Sequence, residues 1–236
     1  MVLHALEVLE ALARAERPPG FAQLLEETKI PPATLNRLLA RLGDTGYARK
    51  VARGTYAPGP RLLVLGLLAT KDAAVDAYRA TLDELAAETG LNAELYALAP
   101  GGVVFLAAAA GTTEFRLALR PGHRLKDVVA NPAGRFFLHR FPAVLERCAE
   151  LQLKHELTRK ALEELVAEAA RRRFAVDRGM VRPELARVGA PAPDGAHAVC
   201  LSGLLGDIPQ AREPRLRKTL HAALKRATPL PALKEA

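Results

Sequence analysis

With 236 residues, half of them hydrophobic, the chain is long enough for one small and one medium domain. It has no Trp and only 5% aromatics, so both cores are expected to be built from Leu, Val and Ala. The net charge of +8 favours anionic partners such as nucleic acid, and the two cysteines lack metal-type spacing and exclude a disulfide framework.

The first expected helix spans residues 2–15, with Ala5, Val8, Leu9 and Leu12 on one face, and Pro18-Pro19-Gly20 stops it. A second covers 21–28, turning Phe21, Leu24 and Leu25 inward. A third covers 32–43, opened by a proline whose missing N–H costs nothing in a first turn. Leu35, Leu38, Leu39 and Leu42 face inward from it, and Ala33, Thr34, Asn36, Arg37 and Arg41 face out. Tyr47–Val51 and Thr55–Pro58 read as the two strands of a wing with Arg53-Gly54 at its tip. From Lys29 to Arg61 there are seven Lys/Arg and one acid, Asp44. This winged helix-turn-helix pattern is expected to place the third helix in a DNA major groove. Arg37 and Arg41 would contact phosphates or guanine edges, Thr34 and Asn36 bases or backbone, and Arg53 the minor groove or phosphates. Two copies about a two-fold axis would read a palindromic operator.

An apolar linker helix is expected over 61–71, packing Leu62, Leu65 and Leu68 on a partner subunit, and another helix over 73–89. Strands are expected over 92–99, 102–110 and 113–120, then helices over 132–141, 143–152 and 158–173. Strands at 185–191 and 196–204 and a basic helix over 211–227 complete the pattern. The domain division is 1–60 for DNA, 61–71 as linker, 72–228 for effector binding and oligomerisation, and 229–236 as a frayed tail. Ala196, Ala198, Cys200 and Ser202 share one strand face, and Leu185, Arg187 and Gly189 share a face of the neighbouring strand. Such a strip of small side chains either leaves room for a ligand or packs tightly on a helix.

No enzyme motif is complete. Pro60 stands where a phosphate loop beginning at Gly54 needs Lys, and Arg159 replaces the second His of a zinc motif begun at His155-Glu156. Ser202 has Cys200 where a nucleophile elbow has Gly, and the six His lack ligand spacing. No catalytic residue, metal or cofactor is expected. The N-terminus has no export-signal pattern and no apolar run approaches about 18 residues, so a cytoplasmic protein without a membrane partner is expected.

The sequence resembles the isocitrate lyase regulator (IclR-type) transcription factors along nearly its whole length. Ala5-Leu6-Glu7-Val8-Leu9 is similar to the family's first helix. Ile30-Pro31, Thr34, Arg37-Leu38-Leu39, Leu42 and Gly46-Tyr47 are similar to its recognition-helix segment, and Tyr56, Gly59-Pro60-Arg61-Leu62 and Leu65-Gly66 to the wing exit. Further on, Ala133-Gly134, Phe174-Ala175-Val176-Asp177, Gly189-Ala190-Pro191 and Leu201-Ser202-Gly203 match in order. Pro32-Ala33 departs from the family's Lys-Ser, Glu184 stands where a Gly is expected, and Arg187 occupies a position that is often Cys.

The resemblance implies an α+β chain: a winged helix-turn-helix domain, a linker helix and a GAF-like effector-binding domain with an antiparallel sheet. It implies a homodimer or dimer of dimers whose DNA affinity is set by a small molecule. The effector site is expected at Asn131, Ala133, Gly134, Asp177, Arg187, Cys200 and Ser202. Free N–H groups of the helix starting at Pro132 and the Arg187 guanidinium would hold an anionic metabolite, with Arg187 paired to Asp177 when no ligand is bound. The alternative is a DNA-binding protein whose C-terminal domain only oligomerises.

Overall fold

The computed structural model describes residues 2–51, 54–69, 73–99, 102–116, 118–180 and 182–227. The chain divides into two compact units, Met1–Asp72 and Ala73–Ala236.

In the first unit, α1 (Val2–Arg14), α2 (Phe21–Thr28) and α3 (Pro32–Asp44) close around Val8, Leu12, Leu24, Ile30, Leu35 and Leu39. Gly20 opens α2 by donating its N–H to Gln23 Oε1 at 2.9 Å, and Lys29 ends it in the left-handed conformation (φ 54°). Strands β1 (Ala48–Lys50) and β2 (Tyr56–Pro58) pair antiparallel as the wing, with Arg49 opposite Ala57. Helix α4 (Pro60–Ala69) follows, and the Arg61 guanidinium lies 5.1 Å from the centre of the Tyr47 ring.

The second unit is built on a five-stranded antiparallel sheet in the order β4-β3-β7-β6-β5. Its strands are β3 (Asn92–Ala99), β4 (Gly102–Ala109), β5 (Ala175–Arg178), β6 (Leu185–Pro191) and β7 (His197–Leu204). Helices α5 (Ala73–Thr89) and α9 (Glu213–Arg226) cover one face, over Leu95, Val188, Val199 and Leu201. On the other lie α6 (Pro132–Arg140) and α8 (Arg159–Arg172), over Tyr96, Phe105, Ala198 and Cys200. The short α7 (Ala149–Lys154) precedes α8.

Three expectations change. Residues 113–116 and 118–120 are not a strand. The Thr112 and Thr113 N–H groups both donate to the Gly90 carbonyl at 2.9 Å, and the Thr113 hydroxyl donates to Asp207, so the chain folds back instead of extending. The fifth strand is β5, within a segment too short for an alternating pattern to stand out. The helix expected over 143–152 is a 3-10 turn at Pro142–Arg147 followed by α7, and the helix expected from 211 begins as a 3-10 turn at Gln210–Arg212.

Candidate functional site

On α3 the leucines at 35, 38, 39 and 42 are buried, which turns Asn36, Arg37 and Arg41 to solvent and leaves Thr34 half-buried. The wing strand β1 carries Arg49 and Lys50, both exposed. Asn36, Ala40 and Gly43 from α3 and Arg49, Lys50 and Tyr56 from the wing line a single hollow of about 230 Å³. One helix face and one basic strand edge thus open on the same space, a shape and charge suited to a groove and its phosphates. Arg53 lies outside the described residues.

In the second unit the register aligns Asn92, Ser202, Arg187 and Asp177 in one row across β3, β7, β6 and β5, and Glu94, Cys200, Gly189 and Ala175 in the next. Both rows face α6. Asp177 and Arg187 are buried and stand 3.7 Å apart, Nη1 to Oδ2. Asp177 Oδ1 accepts the Met180 N–H at 3.1 Å. Asp177 Oδ2 and Arg187 Nε are buried without a hydrogen-bond partner. Burial pushes the Asp177 carboxyl above the ordinary range, against the lowering effect of the Met180 N–H and of Arg187 and Arg135.

The start of α6 is not as expected. Asn131 caps its own helix, Oδ1 accepting from the Ala133 N–H at 2.9 Å, while the N–H groups of Gly134 and Arg135 reach the Asn131 carbonyl at 2.9 and 3.3 Å. These three amides are therefore taken. The small residues here allow two close approaches, α6 to the turn that precedes it at Gly134 and α6 to the sheet at Gly189. A Cβ on Gly134 would fall 1.9 Å from the Val128 carbonyl oxygen, and one on Gly189 would fall 2.8 Å from both Cys200 Sγ and Pro132 Cβ. Burial, with Glu94 nearby, pushes the Cys200 thiol well up, so it stays protonated.

Two residues of this face escaped the sequence reading. Glu94 is fully buried on β3, its Oε2 accepting the Tyr96 hydroxyl at 2.5 Å and its Oε1 accepting the Ser202 hydroxyl. Ser202 is thus already engaged. The available signal was a lone acid between Ala93 and Leu95 in an otherwise apolar run. Arg135 is also buried. Its Nη1 donates to the Val176 carbonyl at 2.6 Å and its Nε to the Val129 carbonyl at 3.2 Å, which ties β5 to α6.

Residues 2–52 match the IclR helix-turn-helix domain model. A curated relative, "Probable transcriptional regulator SauR" of Cupriavidus necator, is 25% identical over 89% of this chain and 86% of its own length. Among solved structures, an IclR family transcriptional regulator from Brucella abortus superposes with a TM-score of 0.78 at 20% identity, covering 97% of this chain and 92% of that one. An IclR homologue from Microbacterium hydrocarbonoxydans, solved with 4-hydroxybenzoate, gives a TM-score of 0.72 at 19% identity over 95% of each chain. At these identities the structures establish the fold. Among the described residues no helix is long and apolar enough to cross a membrane. Residues 2–52 thus carry an IclR helix-turn-helix domain, and along nearly its whole length the chain is similar to IclR-type transcriptional regulators.

Proposed function

We propose that this regulator is cytoplasmic and that a small anionic effector held between α6 and the sheet sets its affinity for a palindromic operator. The observation that carries this reading is the pair of orphaned atoms, Asp177 Oδ2 and Arg187 Nε. Buried polar groups without partners are costly, and the two are complementary: one needs a donor and the other an acceptor. A small carboxylate that also bears a hydroxyl supplies both, and 4-hydroxybenzoate, bound by the Microbacterium relative, has this chemistry. Such a ligand would compete with Asp177 for Arg187, with Glu94 lining the same face.

DNA is engaged by Thr34, Asn36, Arg37 and Arg41 on α3 and by the wing, Arg53 included. A homodimer or dimer of dimers is supported by the apolar surface of the first unit, where Val2, Leu3 and Leu6 are 75%, 72% and 51% exposed. Leu6, Leu9, Ala13, Pro58, Pro60 and Leu62 also line an open hollow of about 850 Å³ there.

The second reading, a C-terminal unit that only oligomerises, is favoured by the close packing of Pro132 on Gly189 and Cys200. A thermal-shift titration with 4-hydroxybenzoate and a panel of small hydroxycarboxylates, run on the protein and on Arg187→Ala, separates the two. Effector binding predicts a stabilisation of about 2.7 kcal/mol at a hundredfold excess over Kd that the variant loses. No shift with any of the compounds selects the second reading.

A further inference from the structure

The DNA-binding unit is not the only basic part of this chain. Residues 171–226 carry twelve Lys/Arg against five Asp/Glu. Six of these cations, Arg171, Arg173, Arg215, Arg217, Lys218 and Lys225, are exposed, and none forms an ion pair with a described residue. They lie together because α9 packs beside the end of α8. His221 Nε2 donates to the Arg173 carbonyl at 2.8 Å, and Arg172, Phe174, Pro214 and Arg217 help line a hollow of about 220 Å³ between the two helices.

The acids nearby are accounted for. Glu168 is paired with Arg172, and Glu213 with Arg178. Glu84 takes Arg226 and Glu88 accepts the Thr219 hydroxyl, both on the α5 flank of α9. Leu216, Leu220, Ala223 and Leu224 fix the other side of α9 in the core, so its outward face carries cations with no unpaired acid of its own, while Glu88 leaves one uncompensated carboxylate on the α5 flank.

Helix stability does not account for this arrangement. Cations suit the last turn of α8, where Arg171 and Arg172 sit. Arg215, however, lies in the first turn of α9, the end at which a cation is unfavourable, and it repels Lys218 one turn on. Uncompensated like charge of this kind is a footprint for a polyanion.

We propose that the outward face of α9, together with the end of α8, is a second DNA-contacting surface that grips the phosphodiester backbone without reading sequence. Its phosphate contacts add to those of the helix-turn-helix unit and raise affinity for any duplex, through counterion release.

The test is Arg171→Gln, Arg217→Gln, Lys218→Gln and Lys225→Gln combined in the full chain. Binding to a 50-base-pair random duplex is followed by fluorescence anisotropy from about 50 to 200 mM salt. Removing four phosphate-binding cations lowers the log–log salt slope by at most about 3.6, so a drop of about 2 or more, with affinity reduced at least tenfold, is expected. The thermal unfolding midpoint should not move, since all four side chains are exposed. The same substitutions in an Arg37→Ala/Arg41→Ala background should abolish the residual, salt-sensitive duplex binding. That separates this surface from the helix-turn-helix reading, whose own failure would appear only in the Arg37/Arg41 variant. Unchanged slope and affinity in both backgrounds overturn the proposal. Loss of binding to polyglutamate with duplex binding intact overturns it too, in favour of an acidic polypeptide partner.

Discussion

Asp194 has every oxygen lone pair of consequence in use. Oδ1 accepts the N–H groups of Ala196 and His197 at 2.8 and 3.0 Å, and Oδ2 accepts the Tyr78 hydroxyl and faces His197 Nδ1, both at 2.9 Å. Burial alone would raise its pKa, but the bonds from His197, Ala196 and Tyr78 outweigh that and bring it down to about 2. An unfolded Asp titrates near about 3.9, so on acidification the unfolded chain takes the proton first. The contribution is full above that value and is lost as pH falls from about 4 through about 2, a window worth about 2 kcal/mol. Chemical denaturation across this range should show a steeper acid-side slope in the parent than in Asp194→Asn, the remainder in the variant coming from other carboxylates such as Asp127; equal slopes would contradict the assignment. At the proposed DNA-binding face, Arg37→Ala with Arg41→Ala should weaken operator binding and leave folding intact, both side chains being exposed. An arginine that meets a phosphate lowers the salt slope by about 1 when it is removed, whereas one that reads a guanine relaxes one base pair by about 1–3 kcal/mol. A salt titration on operator and single-base variants distinguishes these outcomes, and no change in either removes the two arginines from the interface.

Two glycines within helices behave in opposite ways because their surroundings differ. Gly134 sits in α6 where a Cβ would meet the Val128 backbone at 1.9 Å, and backbone cannot rotate aside. Gly134→Ala should therefore cost about 3 kcal/mol by forcing the first turn of α6 away from the segment just before it, and it should disturb Arg135 and its hold on β5. Gly43, near the end of α3, has nothing within 4 Å of a built Cβ. Gly43→Ala should stabilise by about 0.5–1 kcal/mol through helix propensity and reduced unfolded-state entropy. Parallel urea melts of the two variants give opposite signs if the packing of α6 is as described. A destabilised Gly43→Ala would mean that something covers α3 there.

For the whole molecule, the apolar surface of the first unit bears on assembly. Leu6 and Leu65 are 51% and 46% exposed, unusual for leucines in a protein that remains a monomer when their neighbours Val2, Leu3 and Val64 are exposed as well. Leu6→Lys with Leu65→Lys should shift sedimentation toward the monomer and weaken binding to a two-half-site operator far more than to a single half-site. An unchanged sedimentation coefficient would exclude these leucines from the interface.

The first unit was legible from residue order because its information is local. The i, i+3, i+4, i+7 leucines of α3, the proline at its start and the glycine-tipped wing act over a few residues, and they appear at nearly the expected positions. The alternation that put Cys200 and Ser202 on one face of β7 and Leu201 on the other was legible for the same reason. What the sequence could not decide depends on contacts between distant segments. Thr113 bonded to Asp207, 94 residues away, removed a strand, and the short β5 gained its identity only by pairing with β6. Glu94 joined the buried face because its carboxylate meets Ser202, 108 residues further along the chain. Whether a run of small residues makes a cavity or a close helix–sheet contact is likewise settled by what stands opposite. Opposite Gly189 and Cys200 stands Pro132 at the start of a capped α6, whereas opposite Arg187 stands an incompletely bonded Asp177.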